Sequence, residues 1–139
     1  CQQLVDILRH LAPGFLYSVG IPGQVAAPAL AALKLIQNES GRVKRLHEIS
    51  EYFLEQVDHI GLDTGSSAGI AVVPIIIGSS LKAAQLSNHL FEQGINVQPI
   101  IYPAVPEKSA RLRFFLSSEH TREQIDRVIM VLSSVLSSK

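Results

Sequence analysis

The sequence predicts an α+β domain in which roughly three strands are covered by helices. Apolar residues recur at helical spacing over the first 60 positions, two short runs and one alternating segment then have strand character, and a last helical stripe follows. The chain has 139 residues, 47% of them hydrophobic, and a formal net charge of zero. This composition is typical of one globular domain and lacks the basic stripe of a nucleic-acid-binding protein.

The first 38 residues predict two helices joined by a connector. Apolar positions at helical spacing indicate a helix that ends at the breaker pair Pro13–Gly14, and residues 15–20 follow as the connector. Pro22 opens a second helix, and Pro28 inside it predicts either a kink or a start nearer Ala26. The many alanines of this helix imply close packing against another surface. Its apolar face comprises Val25, Ala29, Ala32, Leu33 and Ile36.

A third helix and the first strand follow. The helix begins at Ser40 or Gly41 and ends before Gly61, because glycine readily adopts the left-handed conformation that closes a helix. Its apolar face comprises Val43, Leu46, Ile49, Phe53, Val57 and Ile60. The run at residues 70–77 is rich in β-branched side chains and predicts a buried strand.

A fourth helix and a second strand come next. A serine in the turn at residues 78–80 supplies the N-cap, and the helix at residues 81–93 ends at Gly94. The side chains expected to face inward are Ala83, Leu86, Leu90 and Phe91. Residues 95–100 predict the second strand, which a proline interrupts, and the loop at residues 102–109 carries two further prolines.

The third strand, at residues 110–118, carries two arginines. Side chains alternate between the two faces of a strand. One face carries Leu112, Phe114 and Leu116, and the other carries Arg111, Arg113 and Phe115. A capping box at residues 121–124 then begins the last helix. The apolar stripe of that helix comprises Ile125, Val128, Ile129, Leu132 and Val135.

Few residues suggest that this chain itself carries out catalysis. The five histidines are scattered, and the sequence has no nucleophile elbow, no metal-ligand spacing and no phosphate-binding glycine loop. All lysines are expected at the surface, so none is predicted to form a Schiff base. We therefore expect neither a catalytic residue nor a metal site in this chain.

Neither a disulfide nor a membrane span is predicted. Cys1 is the only cysteine, which favours a cytoplasmic protein, and no apolar run approaches the roughly 20 residues that a span requires. The chain starts with this cysteine and opens directly into a helical pattern. We therefore expect it to be part of a longer protein.

Arg111 and Arg113 are the strongest candidates for ligand binding. Residues i and i+2 of a strand project from one face, and the planar guanidinium of arginine can hold both oxygens of a carboxylate. The rigid, proline-bearing segment 102–106 would bring the backbone close to a ligand at low entropic cost. The spacing alone favours a plainer alternative, a structural strand with solvent-facing arginines.

Several motifs together closely resemble the C-terminal domain of the α-oxoamine synthases. This family is pyridoxal-phosphate-dependent, is related to class II aminotransferases, and includes 2-amino-3-ketobutyrate CoA ligase, 8-amino-7-oxononanoate synthase and serine palmitoyltransferase. The resemblance covers nearly the whole chain. The motifs that carry it are FLYS at residues 15–18 before Pro22, VPIIIG at 73–78, GINVQPIIYPAVPEKSARLR at 94–113, SSEHT at 117–121 and QID at 124–126.

The resemblance implies a function and two site residues. Such enzymes are homodimers that condense an amino acid with an acyl thioester, on coenzyme A or a carrier protein, to give an α-aminoketone. Arg113 would bind the carboxylate of the amino acid, and Arg111 would support the structure. Ser18 would contact the cofactor phosphate of the neighbouring subunit. The chain departs from the family at Val19, often a polar residue there, and at Ala104, often threonine.

The resemblance also implies how the chain is divided. Residues 1–38 would be the connector and long helix that lead from a large domain, and residues 39–139 would be the C-terminal α+β domain of a fold-type I enzyme. The large domain would bind most of the cofactor and supply the Schiff-base lysine, so this chain alone is expected to be inactive. Two alternatives stay open, a non-catalytic regulatory or binding module and the small domain of an ordinary aminotransferase.

Overall fold

The computed structural model describes residues 1–137, which fall into two compact units, Cys1–Asn38 and Glu39–Lys139. The predicted α+β class is confirmed, because the second unit combines helices with a three-stranded sheet. The helices and strands are α1 (Gln2–Leu11), α2 (Pro13–Leu16), α3 (Gly23–Asn38), α4 (Ser40–His59), β1 (Val72–Ile76), α5 (Ser80–Glu92), β2 (Gln98–Ile100), β3 (Arg111–Phe115) and α6 (Arg122–Ser137), with a 3-10 turn at Glu107–Ser109.

The first unit consists of α1, α2 and α3, and none of its residues is buried. The predicted connector is partly wrong, because residues 13–16 form a short helix in which Pro13 occupies the first position, where its missing N–H costs no hydrogen bond. The alternative start near Ala26 is also wrong, since α3 begins at Gly23 and contains Pro28. The kink and the close packing of the alanines stay predictions.

The end of α4 follows the sequence prediction. Gly61 has φ 74°, and its N–H donates to the carbonyl of Asp58 at 3.0 Å. The N–H of Leu62 donates to the carbonyl of Val57 at 3.3 Å. Both bonds satisfy carbonyls at the helix end, and this closure requires a positive φ at the glycine. The predicted terminator is therefore confirmed.

The sheet has the order β1-β3-β2, and β3 is antiparallel to both neighbours. Alternate strand residues face α4, α5 and α6, which together cover one side of the sheet. Within this core, the rings of Phe53 and Phe114 lie 5.1 Å apart. The core residues are Ile49, Phe53, Val57, Val73, Ile75, Leu90, Val97, Leu112, Phe114, Ile125 and Leu132.

Two expectations about burial are wrong. The first strand is shorter than residues 70–77 and is buried on one face only, with Val73 and Ile75 fully buried and Val72 39% exposed. It is an edge strand, and the helices lie on one side of the sheet. Phe91 is 67% exposed, whereas its neighbour Leu90 is fully buried. Successive helix residues differ by about 100° in direction, so the two cannot share the inner face.

The start of α6 is a capping box, as the sequence predicts. The hydroxyl of Thr121 accepts a hydrogen bond from the N–H of Gln124 at 3.3 Å, and the Gln124 side-chain oxygen accepts one from the N–H of Thr121 at 3.0 Å. The stripe that follows packs into the core through Ile125 and Leu132. The last helix is therefore fixed at its first turn and along one face.

Candidate functional site

Arg113 lies at the centre of the sheet on the face that the helices of this unit leave uncovered. It is the middle residue of β3 and pairs with Pro74 on one side and with Gln98 on the other. Directly opposite residues of antiparallel strands share a face, so these three form a row across the sheet. Arg113 is partly buried, yet within residues 1–137 its guanidinium has no hydrogen-bond or ion-pair partner. Its backbone is therefore fixed by both neighbouring strands, and its guanidinium is free to bind an anion.

Arg111 is one row away and differs from Arg113 in its contacts. It pairs with Ile76 and Ile100 at the end of the sheet. Its Nε donates a hydrogen bond to the carbonyl of Ser109 at 2.8 Å, within the turn that precedes β3. The side chain of Arg111 thus stabilises the entry to the strand, and the two arginines have separable environments.

The remainder of this uncovered face is mostly apolar. Phe115 is 61% exposed and pairs with Val72, and prolyl and isoleucyl side chains flank the arginines. A contiguous exposed apolar face is typical of a surface that contacts another molecule or domain. A guanidinium in such surroundings attracts an anion more strongly once water is excluded, because the local dielectric falls.

The proline-bearing loop before β3 is anchored at the base of α5. The N–H of Tyr102 donates to the hydroxyl of Ser80 at 3.2 Å. The N–H of Ser80 donates to the carboxylate of Glu107 at 2.7 Å, and the Ser80 hydroxyl donates to the other carboxylate oxygen. These bonds hold the pKa of Glu107 below its usual value. The loop therefore has a defined path at the Arg111 end of the sheet.

The segment SSEHT, at residues 117–121, forms the turn from β3 to α6. The N–H of Glu119 donates to the Ser117 hydroxyl, and the N–H of Ser117 donates to Nδ1 of His120, both at 3.0 Å. Arg45 Nε donates to the carbonyl of Ser118 at 2.7 Å. This histidine accepts a backbone hydrogen bond, so its role in the structure is to shape the turn.

Ser18 belongs to the first unit. Its hydroxyl is exposed and donates to the carbonyl of Phe15 at 2.6 Å, which closes the turn after α2. Tyr17 and Val19 on either side are 84% and 89% exposed. A phosphate accepts hydrogen bonds, so Ser18 could bind one only after its hydroxyl rotates away from Phe15.

The other candidate groups of the described chain do not converge. The lysines at positions 34, 44, 82 and 108 are exposed, and position 139 lies outside the described residues. Among residues 1–137, no three histidine, cysteine or acidic side chains are grouped as metal ligands. No helix in that range has the length and apolar character needed to cross a membrane.

Sequence reasoning missed Ser80 and Glu107 as partners. Twenty-seven positions separate the two, so no local pattern joins them. The only signal was the serine turn after β1, which predicted an N-cap. That N-cap is Ser79, whose hydroxyl accepts from the N–H of Lys82. The additional acceptor from the proline-bearing loop became visible only in the structure.

Comparison with known proteins assigns the family. The model for aminotransferase class I and II matches residues 1–132. The 8-amino-7-oxononanoate synthase of Symbiobacterium thermophilum is 37% identical over 134 residues, which cover 96% of this chain and 34% of that protein. The 8-amino-7-oxononanoate synthase 1 of Bacillus velezensis is 36% identical over 133 residues, with coverage of 96% and 34%.

Solved structures show the same fold. The 8-amino-7-oxononanoate synthase of Francisella tularensis has a TM-score of 0.81 at 26% identity and covers 99% of this chain and 40% of that chain. The serine palmitoyltransferase of Sphingomonas wittichii has a TM-score of 0.78 at 21% identity, with coverage of 96% and 34%. The fold is thus that of the small domain of fold-type I pyridoxal-phosphate enzymes.

The chain belongs to the class I and II aminotransferase family, in its α-oxoamine synthase group. It spans about a third of the length of the curated relatives that it matches. The family resemblance that the motifs carried is therefore confirmed.

Proposed function

We propose that this chain is the C-terminal domain of a pyridoxal-phosphate-dependent synthase that condenses an amino acid with an acyl thioester. The product would be an α-aminoketone, and Arg113 would bind the carboxylate of the amino acid. The observation that carries the proposal is an unpaired, partly buried arginine at the centre of a mostly apolar sheet face.

The names of the relatives suggest a substrate pair. In 8-amino-7-oxononanoate, a ketone at carbon 7 adjoins an amine at carbon 8, which is the α-aminoketone pattern. Carbons 8 and 9 with the amine correspond to alanine without its carboxyl group, and carbons 1 to 7 correspond to a dicarboxylic acyl group. We therefore propose alanine and a seven-carbon dicarboxylic acyl thioester, on coenzyme A or a carrier protein, as substrates.

The cofactor would be held mainly outside this chain. The lysines within residues 1–137 are exposed, whereas a Schiff-base lysine requires a desolvated setting. Ser18 would make a single contact to the cofactor phosphate once its exposed hydroxyl rotates away from the carbonyl of Phe15, and its neighbours Tyr17 and Val19 are also accessible. When bound, pyridoxal phosphate supplies the electron sink for the bond cleavage and condensation at the amino-acid α-carbon.

The residues of this chain would act by binding and orientation. Arg113 would hold both carboxylate oxygens and fix the direction of the α-carbon substituents, and Arg111 would keep the strand entry in place through Ser109. The exposed apolar face would be covered in the complete enzyme, which would exclude water around the ion pair. Dimerisation, with Ser18 serving the neighbouring subunit, is part of the proposal.

Substitution of Arg113 in the full-length enzyme tests the carboxylate assignment. Arg113→Ala should raise the Michaelis constant for the amino acid by about 30-fold or more, because a charge-assisted bidentate contact is lost. Arg113→Lys should recover part of this loss, since a lysine retains the charge without the fork. The Michaelis constant of the acyl thioester should change little in either variant. Steady-state kinetics with each substrate varied in turn measures both effects.

Arg111→Ala is the matched comparison on the same strand face. It should lower the free energy of unfolding, because the bond to the carbonyl of Ser109 is lost. The Michaelis constant for the amino acid should stay much closer to that of the wild type. Equal kinetic effects of the two substitutions would refute the separation of their roles. A wild-type enzyme that transfers the amino group to a 2-oxo acid, and consumes no thioester, would favour the ordinary aminotransferase instead. If the full-length protein catalyses neither the condensation nor the amino-group transfer, the non-catalytic module is favoured.

A further inference from the structure

The hydroxyl of Ser80 connects the two ends of the proline-bearing loop. It accepts a hydrogen bond from the N–H of Tyr102 at 3.2 Å and donates one to the carboxylate of Glu107. The N–H of Ser80 donates to the same carboxylate at 2.7 Å. We call this group of Ser80, Glu107 and the Tyr102 N–H the loop clasp. Every donor in the clasp has an acceptor, and both carboxylate oxygens are used.

The clasp fixes the ends of the loop and leaves its tip accessible. Between the two anchors, Pro103, Ala104 and Pro106 are exposed. Inside the loop, the N–H groups of Ala104 and Val105 donate to the carbonyl of Ile101 at 3.0 and 3.3 Å. The tip is thus a compact turn whose position depends on the two anchors.

The segment after the clasp leads directly to the arginines. The N–H groups of Ile77 and Gly78 donate to the carbonyl of Ala110 at 2.8 and 3.0 Å, so the residue before β3 is also bonded to the turn between β1 and α5. The carbonyl of Ser109 accepts from Arg111. One short segment, residues 107–110, therefore joins the base of α5 to the entry of the arginine strand.

A carboxylate is well suited to the position that Glu107 occupies. Ser80 is the first residue of α5, where the backbone N–H groups lack intrahelical partners and the helix dipole favours negative charge. An apolar contact could close the loop, but it would not fix the orientation of the loop. A charge-assisted pair of bonds holds the loop in one orientation.

We propose that Ser80 and Glu107 are positioning residues of the amino-acid site. The clasp would hold the tip of the loop and the entry of β3 in the arrangement in which Arg113 meets the substrate carboxylate. This inference rests on the proposed function, since it names residues that prepare the same site without touching the substrate.

Two readouts test the clasp in the full-length enzyme. Glu107→Ala should raise the Michaelis constant of the amino acid by about fivefold, because the loop and the entry of β3 lose their fixed position. Both kcat and the Michaelis constant of the thioester should change less than about twofold, because the reacting groups are intact. Hydrogen exchange at the amides of Tyr102, Ala104 and Val105 should become faster in the same variant. Ser80→Ala keeps the backbone N–H bond to Glu107 and removes both bonds of the hydroxyl, so it should give changes of the same kind, with the exchange of the Tyr102 amide affected most.

The controls separate positioning from general destabilisation. Glu107→Gln retains an acceptor for the Ser80 N–H and should fall between the wild type and the alanine variant. Lys108→Ala changes an exposed neighbour in the same 3-10 turn, and it should affect neither readout. Faster loop exchange with an unchanged amino-acid constant would overturn the positioning role. Unchanged exchange in Glu107→Ala would overturn the clasp itself.

The two proposals fail in different ways. If the wild-type enzyme consumes no thioester with any amino acid, the proposed function is wrong, and the positioning role in that site falls with it. If the wild type is active and Arg113→Ala has its expected effect while Glu107→Ala resembles the wild type, only the clasp proposal is wrong.

Discussion

Arg111 and Arg113 illustrate how neighbouring residues of one type acquire different roles. They are two positions apart on one strand and share one face of the sheet. Arg111 uses its Nε on a carbonyl of its own turn, whereas Arg113 lies where no carbonyl or carboxylate of the described chain reaches it. Spacing could predict the shared face and could not predict this difference, because the partner of Arg111 depends on the geometry of the preceding turn.

Gly69 offers a test of local strain at the entry to β1. It has φ 65°, and a Cβ atom added there would lie 3.0 Å from Cδ2 of Leu54. Gly69→Ala should lower the free energy of unfolding by about 2 kcal/mol or more, because a left-handed conformation and a close contact both become unfavourable. Urea unfolding monitored by circular dichroism measures the change.

Gly65 supplies the matched control for Gly69. Its φ is 62°, and a Cβ atom added there would have no neighbour within 4 Å. Gly65→Ala should therefore lose only the conformational part, about 1 kcal/mol. Equal losses in the two variants would mean that Leu54 moves aside without cost, which would contradict the steric argument.

At the scale of elements, α4 and α6 are joined by a polar contact beside the core. The phenol of Tyr52 donates to the carboxylate of Asp126 at 2.6 Å, and the guanidinium carbon of Arg122 lies 4.8 Å from the centre of the Tyr52 ring. The hydrogen bond to Asp126 is the main cause that raises the pKa of Tyr52 above its ordinary value of 10.0, and partial burial adds to it.

The titration of Tyr52 should report this contact. Its phenol is stabilised in the neutral form, so the contribution to stability is fully present below about pH 10 and is lost as the pH rises through the higher folded pKa. The ultraviolet titration of the wild type minus that of Tyr52→Phe should give a midpoint above 10. Asp126→Ala should lower this midpoint, and an unchanged midpoint would show that Asp126 is not the cause.

The elements that the sequence predicted well are those with local causes. The capping box at Thr121 and the terminator Gly61 involve residues within five positions of each other, so their types and spacing were sufficient. The limits of β1 were predicted less well. They depend on the positive φ of Ala71 and on a hydrogen bond from its N–H to the hydroxyl of Ser50, which is 21 positions away.

At the scale of the whole molecule, the two units differ in whether they contain a core. Every buried residue of the described chain belongs to the unit Glu39–Lys139, and none belongs to Cys1–Asn38. A segment without buried apolar side chains cannot offset the conformational entropy lost on folding. The second unit should therefore fold by itself, whereas the first should require contacts with other parts of a longer protein.

Two separate polypeptides test this division. A polypeptide of residues 39–139 should unfold cooperatively in urea, with a slope of roughly 1–3 kcal/mol per molar urea, as small domains do. A peptide of residues 1–38 should show no cooperative transition. A gradual, non-cooperative loss of structure in the longer polypeptide would contradict the assignment of an independent core.

The sequence allowed the class of the domain to be predicted and left the order of its strands open. Periodicity and turn residues identify three strands and, for the third strand, the residues that share its inward face, since these depend on neighbours along the chain. The placement of β3 between β1 and β2 depends on contacts between residues about 40 positions apart, such as Pro74 with Arg113. No local sequence pattern indicates such a pairing. The row of residues around Arg113 therefore could not be predicted either.

This strand order has a consequence for the synthesis of the chain. β1 and β2 leave the ribosome before β3. They share no ladder of hydrogen bonds, so their edges stay unpaired until β3 has been synthesised. The nascent domain therefore closes its sheet by inserting the strand that carries both arginines. A polypeptide truncated before residue 111 lacks the sheet as well as the arginines, so a nascent chain completes its sheet and gains these two arginines in one event.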